Sequence, residues 1–158
     1  MNPYIAVVGA SVAGEELYGA AREVGRLLGE RRAVLLTGGL GGVMEASCRG
    51  AKEAGGTTVA ILPTLDKSDA NDYVDIAIPT GMGEIRNALI IRAADAVIAV
   101  GGEFGTLSEI AFALRTDKPV VGLGTWELSK GGAAVRAFET ASTPSEVVDL
   151  ALAACGSN

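Results

Sequence analysis

Residues 96–109 read Ala96-Val97-Ile98-Ala99-Val100-Gly101-Gly102-Glu103-Phe104-Gly105-Thr106-Leu107-Ser108-Glu109, and their order decides the fold. The first five form an apolar run, the pattern of a strand buried on both faces. Three glycines then strip side chains from a turn, and Thr106 opens an apolar-periodic helix. Strand, bare turn and helix start, in that order, leave backbone N–H groups in an open crevice at the positive end of a helix dipole. Such a crevice holds a phosphate without a basic side chain. The chain repeats the device: Ala33-Val34-Leu35-Leu36-Thr37 runs into Gly38-Gly39-Leu40-Gly41-Gly42, and a helix is expected from Val43.

Outward from these two turns, apolar runs alternate with helical periodicity along the whole chain. Strands are expected at 4–9, 33–37, 57–62, 74–79, 96–100 and 119–123, and helices at 15–28, 43–54, 84–94 and 106–115. A polar stretch at 64–73 reads as a loop near the pocket mouth, and its acids Asp66, Asp69 and Asp72, with Asp75, as solvated rather than metal-binding. A short helix is expected over 133–138. The last helix follows Thr143-Pro144-Ser145-Glu146, a capping threonine, a proline at the first helical position and a glutamate at the third. Such alternation predicts one α/β domain over 1–158, doubly wound, with a mostly parallel sheet and helices on both faces. Ligands bind such sheets at the carboxyl ends of the strands, where strand order reverses. The turns at 9–14, 38–42 and 101–105 all follow strands and belong on that edge.

Composition narrows the function. The chain is 49% hydrophobic, with a mean hydropathy of +0.35. No apolar run reaches the roughly 18–20 residues of a membrane span, so buried parallel strands account for the excess, and some surplus apolar surface is assigned to a homodimer. Net charge is −6, which speaks against a nucleic-acid backbone as partner. Histidine is absent, which removes Ser-His-Asp and Cys-His catalysis and histidine-bound metals. No metal site is expected. Residues 1–4 run straight into the first strand, no targeting segment is visible, and Cys48 and Cys155 read as reduced thiols of a cytoplasmic protein.

The turns match neither standard nucleotide fingerprint. Gly9 and Gly14 are five apart, but no Lys-Ser/Thr follows as a Walker A loop requires, and no turn fits G-x-G-x-x-G. Each alone reads as a tight turn needing positive φ; two of this build on one sheet edge point to a phosphate cradle. Arg86 opens the helix before the central strand. Its planar fork suits phosphate or carboxylate, and the alternative is a surface arginine paired with Glu84. Arg92 reads as structural. Glu109 has two readings as well: Thr106-Leu107-Ser108-Glu109 has the spacing of a capping box, and the same carboxylate is a candidate to face the ligand.

Gly38 to Met44, Ala51-Lys52-Glu53-Ala54-Gly55-Gly56 with a strand ending in Pro63, Met82 to Asn87, and Gly101 to Glu109 together resemble the Lonely Guy family, long labelled lysine decarboxylases. That resemblance spans residues 4–124 and implies a Rossmann-like fold and a homodimer. It implies that Arg86 and Glu109 stand at the catalytic arginine and glutamate of the family's phosphoribohydrolases, which split the N-glycosidic bond of a nucleoside 5′-monophosphate. The chain departs from those hydrolases in two places. Gly101-Gly102-Glu103-Phe104 stands where they carry Pro-Gly-Gly-x, and the histidine of their Met-His-x-Arg-Lys motif is missing. The variant is similar to a branch that contains molybdenum cofactor carrier proteins. The expected ligand seat comprises Gly9, Ser11, Gly38, Gly39, Gly41, Gly42, Met82, Arg86, Asn87, Gly101, Gly102, Gly105 and Thr106. The expected function is binding of a small phosphorylated ligand, a nucleotide 5′-monophosphate or a carried molybdopterin-type cofactor, with no other cofactor required. The alternative is phosphoribohydrolase activity through Arg86 and Glu109.

Overall fold

The computed structural model describes residues 1–156. Seven parallel strands form one sheet: β1 (Tyr4–Gly9), β2 (Val34–Thr37), β3 (Thr57–Leu62), β4 (Ile76–Pro79), β5 (Ala96–Val100), β6 (Val120–Leu123) and β9 (Glu139–Ala141), in spatial order β4-β3-β2-β1-β5-β6-β9. β7 (Leu128–Lys130) and β8 (Ala133–Val135) make a separate antiparallel hairpin. α1 (Glu15–Glu30), α2 (Val43–Glu53) and α5 (Pro144–Cys155) cover one face, and α3 (Asn87–Ala93) and α4 (Phe104–Arg115) the other. This is the doubly wound, Rossmann-like α/β fold the alternation predicts.

The central strands are apolar throughout because both of their faces are covered. Side chains alternate across the sheet. Ile5 and Val7 of β1 and Ile98 and Val100 of β5 join Val24, Leu28, Val43 and Val147 beneath α1, α2 and α5. Ala6, Val8, Val97 and Ala99 join Ile90, Ile91 and Ile110 beneath α3 and α4. Cys48 lies wholly within the first cluster, and burial pushes its thiol up to about 12, so it packs and does not react. α1 and α2 touch backbone to backbone. A Cβ on Gly25 would stand 1.9 Å from the Ser47 carbonyl oxygen, and one on Gly50 1.8 Å from that of Arg22.

Two local expectations need correction, and a third gains a detail. Residues 133–138 are not a helix. Gly131 and Gly132 both take positive φ, 60° and 82°, and close the β7–β8 hairpin; β9 then joins the sheet edge. α4 begins at Phe104, two residues before Thr106, so the Thr106–Glu109 capping box does not form: Glu103 is the cap position, and Glu109 lies inside the helix. Asp75 lies exposed in the bend before β4, as expected, but it is not idle. It accepts from the Thr58 amide at 2.9 Å and from Lys52, and so binds the start of β4 to β3 and α2. The cap of α5 forms as expected, with the Thr143 hydroxyl accepting from the Glu146 amide at 3.2 Å. Arg92 lies over the Phe112 ring at 5.6 Å, a structural contact. Among the described residues no helix is long and apolar enough to cross a membrane.

Candidate functional site

β1 leads to β2 on one side, whereas the chain returns from β4 to β5 on the other. Strand order therefore reverses between β1 and β5, and a cleft opens there at the carboxyl ends. The backbones crowd at this point. A Cβ on Gly9 would lie 2.5 Å from the Val100 carbonyl oxygen and 2.6 Å from a Val43 methyl, so only glycine fits. The cleft is a cavity of about 420 Å³. Gly9 and Ser11 from the turn after β1, Gly38 from the turn after β2, and Gly105 and Thr106 from the start of α4 line it. Arg86 and Asn87 at the start of α3, and Glu109 one turn further along α4, line it as well.

Not every expected residue reaches the cavity. Gly39, Gly41, Gly42, Met82, Gly101 and Gly102 lie outside its lining. Gly39, Gly42, Gly101 and Gly102 have positive φ and shape their turns. Gly42 packs against the Ala10 carbonyl, and Gly102 covers the Thr106 side chain. The sequence reading missed Val7, Val8, Ala10, Val12, Leu40, Met44, Pro63, Glu84 and Glu103, which also line the cavity. Glu84 and Glu103 flank motif residues and were within reach of that reading. The apolar ones carry no chemical signal.

The two helix starts differ in their free donors. At α2 the Val43 amide donates to the Ala10 carbonyl at 3.0 Å. At α4 the Leu107 amide bonds Glu103, but among the described residues the amides of Phe104, Gly105 and Thr106 find no acceptor. The Met44 and Glu45 amides of α2 likewise find no acceptor among the described residues, so both helix starts offer donors to an anion, α4 one more than α2.

Arg86 and Glu109 carry the electrostatics. Arg86 is 7% exposed and Glu109 8%. Glu109 reaches Arg86 only as a distant charge: among the described residues no hydrogen bond or ion pair holds either side chain, and Arg86 Nε is buried without a partner. Gly38 leaves room for the guanidinium, since a Cβ there would fall 2.1 Å from Arg86 Nη1. Burial lowers the Arg86 pKa, with Glu109 opposing. Burial pushes the Glu109 carboxyl up to about 7, with Arg86 opposing. A buried cation and a buried carboxyl without donors are costly in an empty cavity and fit a ligand that brings an anion for one and hydrogen-bond donors for the other. Among the described residues no group of three or more His, Cys, Asp or Glu is arranged to hold a metal.

A strand-order reversal, a glycine-walled cleft and a buried Arg–Glu couple are the features of a candidate small-ligand site in a doubly wound sheet. The chain belongs to the SLOG cluster4 family, whose model matches residues 2–149. It is 48% identical over 148 residues to an uncharacterized protein of Archaeoglobus fulgidus, covering 94% of this chain and 93% of that one. Its structure is similar to that of the molybdenum cofactor binding protein of the phototrophic bacterium Rippkaea orientalis, with 36% identity, 97% of each chain covered and a TM-score of 0.87. It is likewise similar to the molybdenum cofactor carrier protein of Chlamydomonas reinhardtii, with 32% identity, 99% of each chain covered and a TM-score of 0.86. These similarities bear out the family resemblance and its carrier-like branch.

Proposed function

We propose that this protein binds a small phosphorylated ligand in the β1/β5 cleft, as a carrier rather than a catalyst. One observation carries the reading: the Arg86 guanidinium is buried in the cavity with its Nε unpartnered, and Gly105 and Thr106, whose amides are free, line the same cavity. A phosphate oxygen supplies the acceptor that both lack. A molybdopterin-type cargo is the first candidate, because the similar proteins named above bind or carry the molybdenum cofactor, and its phosphate offers the same handle as a nucleotide. Arg86 and the amides of Gly105 and Thr106 would hold that phosphate, with Gly9, Ser11 and Gly38 leaving the backbone close to it. Glu109 would accept from a hydroxyl or N–H of the ligand.

A second reading rests on Glu109. A carboxyl held near neutrality in a cleft suits proton transfer, or stabilisation of an oxocarbenium-like centre, in a phosphoribohydrolase. Incubation with AMP and other nucleoside 5′-monophosphates separates the two. Saturable binding without free base supports the carrier. Base release that disappears in Glu109→Gln supports the enzyme. Failure of every phosphorylated probe to bind overturns both.

We also propose that two copies associate. Ile90, Ile91, Phe112 and Leu114 pack in or against the core beneath α3 and α4. Ile85, 72% exposed, and Leu89, 39% exposed, are the apolar side chains left in water beside them. Sedimentation equilibrium on wild type and Ile85→Asp tests this: a dimer reduced to monomer is expected, and a monomeric wild type contradicts it.

A further inference from the structure

Glu109 follows the free donors of α4 by a single helical turn. Gly105 and Thr106, whose amides find no acceptor among the described residues, are its i−4 and i−3 neighbours on the helix. Helical side chains tilt toward the N-terminus and cover that preceding turn, so the Glu109 side chain extends back over these two residues. Nothing lies within 4 Å of the place a Cβ would take on Gly105, so the space beside it is open. Glu109, Gly105, Thr106 and Arg86 line one cavity, in which Arg86 Nε is buried without a partner. An anion seated between Arg86 and the α4 amides therefore has the Glu109 carboxyl as a neighbour.

The charges of the cavity make that neighbour consequential. Its wall holds one guanidinium, Arg86, and three carboxyl groups: Glu84 just before α3, Glu103 at the cap of α4 and Glu109 within α4. The parts of the wall from β1 and its turn, from the β2 turn, from α2 and from Pro63 bring no acidic or basic side chain. Glu84 and Glu103 are exposed and keep water around their charge. Glu109 is buried, and among the described residues no donor holds it. One buried cation cannot balance both a dianion and a carboxylate, and the carboxylate is the group that a proton can neutralise. Burial already keeps the Glu109 proton up to about pH 7 in the ligand-free protein, and an adjacent anion moves that point higher. The chain has no histidine, so no imidazole titrates in the same range.

We infer that the anion seat is proton-coupled: a proton from solvent joins a Glu109 carboxylate oxygen when a phosphate group settles between Arg86 and the α4 amides, and returns to solvent when the group departs. The protonated carboxyl keeps both hydrogen-bonding functions. Its O–H donates to the anion, and its carbonyl oxygen still accepts from the ligand. By linkage, such a seat holds its anion at and below neutral pH and loosens its grip above it, a means of release for a carrier. This inference rests on the anion seat proposed above and adds its regulation.

Sulfate is the probe, because it stays a dianion from pH 6 to pH 8.5 and brings no proton of its own. Calorimetric titration of the full chain in two buffers of different ionisation enthalpy reads both the affinity and the protons taken up. Wild type is expected to take up about one proton at pH 8 and almost none at pH 6, and to bind sulfate about 30-fold more weakly at pH 8.5 than at pH 6. Glu109→Gln cannot ionise. Whatever its affinity, it should take up no proton and lose that pH dependence. The double variant Glu84→Gln/Glu103→Gln should keep the proton uptake. Equal wild-type affinity at both pH values, with no proton taken up, overturns the coupling and leaves the anion seat standing. Uptake that persists in Glu109→Gln, or vanishes in the double variant, puts the proton elsewhere and overturns it too. If sulfate binds at neither pH, the anion seat fails and the coupling falls with it.

Discussion

Two carboxylates, one at the β3–β4 junction and one in the cleft between β1 and β5, received opposite treatment from the same fold. Asp75 accepts from the Thr58 amide and from Lys52. Burial raises its pKa, but those donors outweigh it and hold the carboxyl below its ordinary value. Glu109 is far more deeply buried, has only the distant Arg86 charge, and is held up at about 7. Asp75 is satisfied by the chain itself and therefore belongs to the architecture. Glu109 and Arg86 are left unsatisfied together in one cavity, an arrangement that costs stability unless something else completes it. That difference separates the structural polar groups of this protein from those of its site.

The comparison can be broken by substitution. The largest expected effect is on binding: Arg86→Met should weaken ribose 5-phosphate by about 100-fold, the usual cost of removing one partner of a buried charged contact, and calorimetry would read it. The same variant should keep or raise the melting temperature, because no protein hydrogen bond is lost.

Next, the two carboxylates should respond with opposite signs. The folded chain keeps the Glu109 proton up to about pH 7, whereas an unfolded glutamate releases it near 4.5. Over that window the folded state binds more protons, so this residue makes stability fall as pH rises from about 4.5 to about 7. Glu109→Gln removes the slope and should stabilise the ligand-free protein at pH 8 by on the order of 3 kcal/mol. Asp75→Asn should destabilise it by about 1 kcal/mol, the smaller figure reflecting a partly exposed ion pair. Urea denaturation of both variants at pH 5 and pH 8 checks the pair, and two losses at pH 8 would erase the distinction. The smallest effect is expected from Gly38→Ala, whose Cβ pushes the guanidinium aside. Binding should weaken about tenfold, a 1.4 kcal/mol change, with little change in stability because a long side chain can move.

Much of this was legible in the sequence. Continuous apolar strands and regularly spaced helices predict the doubly wound sheet, because burial on both faces leaves no other pattern for parallel strands. The sequence placed Gly9, Gly38, Gly105, Arg86 and Glu109 together, and they do line one cavity, because turns after strands converge on one edge. The local errors have local causes. Ala133-Ala134-Val135-Arg136-Ala137-Phe138 has good helix formers, but the preceding Gly131-Gly132 pair turns the chain into a hairpin, a signal that outranks propensity. The Thr106–Glu109 spacing imitates a cap, yet α4 starts earlier, at Phe104, and so buries Glu109 in the cleft. Asp75 could not be told from its neighbours, since its partners Thr58 and Lys52 are distant in sequence and meet it only through the β3–β4 pairing.

The central claim is that Arg86 awaits an anion. A 31P chemical-shift titration of ribose 5-phosphate with wild type and Arg86→Met, side by side, addresses it most directly. The account predicts a saturable shift with wild type that vanishes in the variant; a shift of equal size and midpoint in both, or none with wild type, would contradict it.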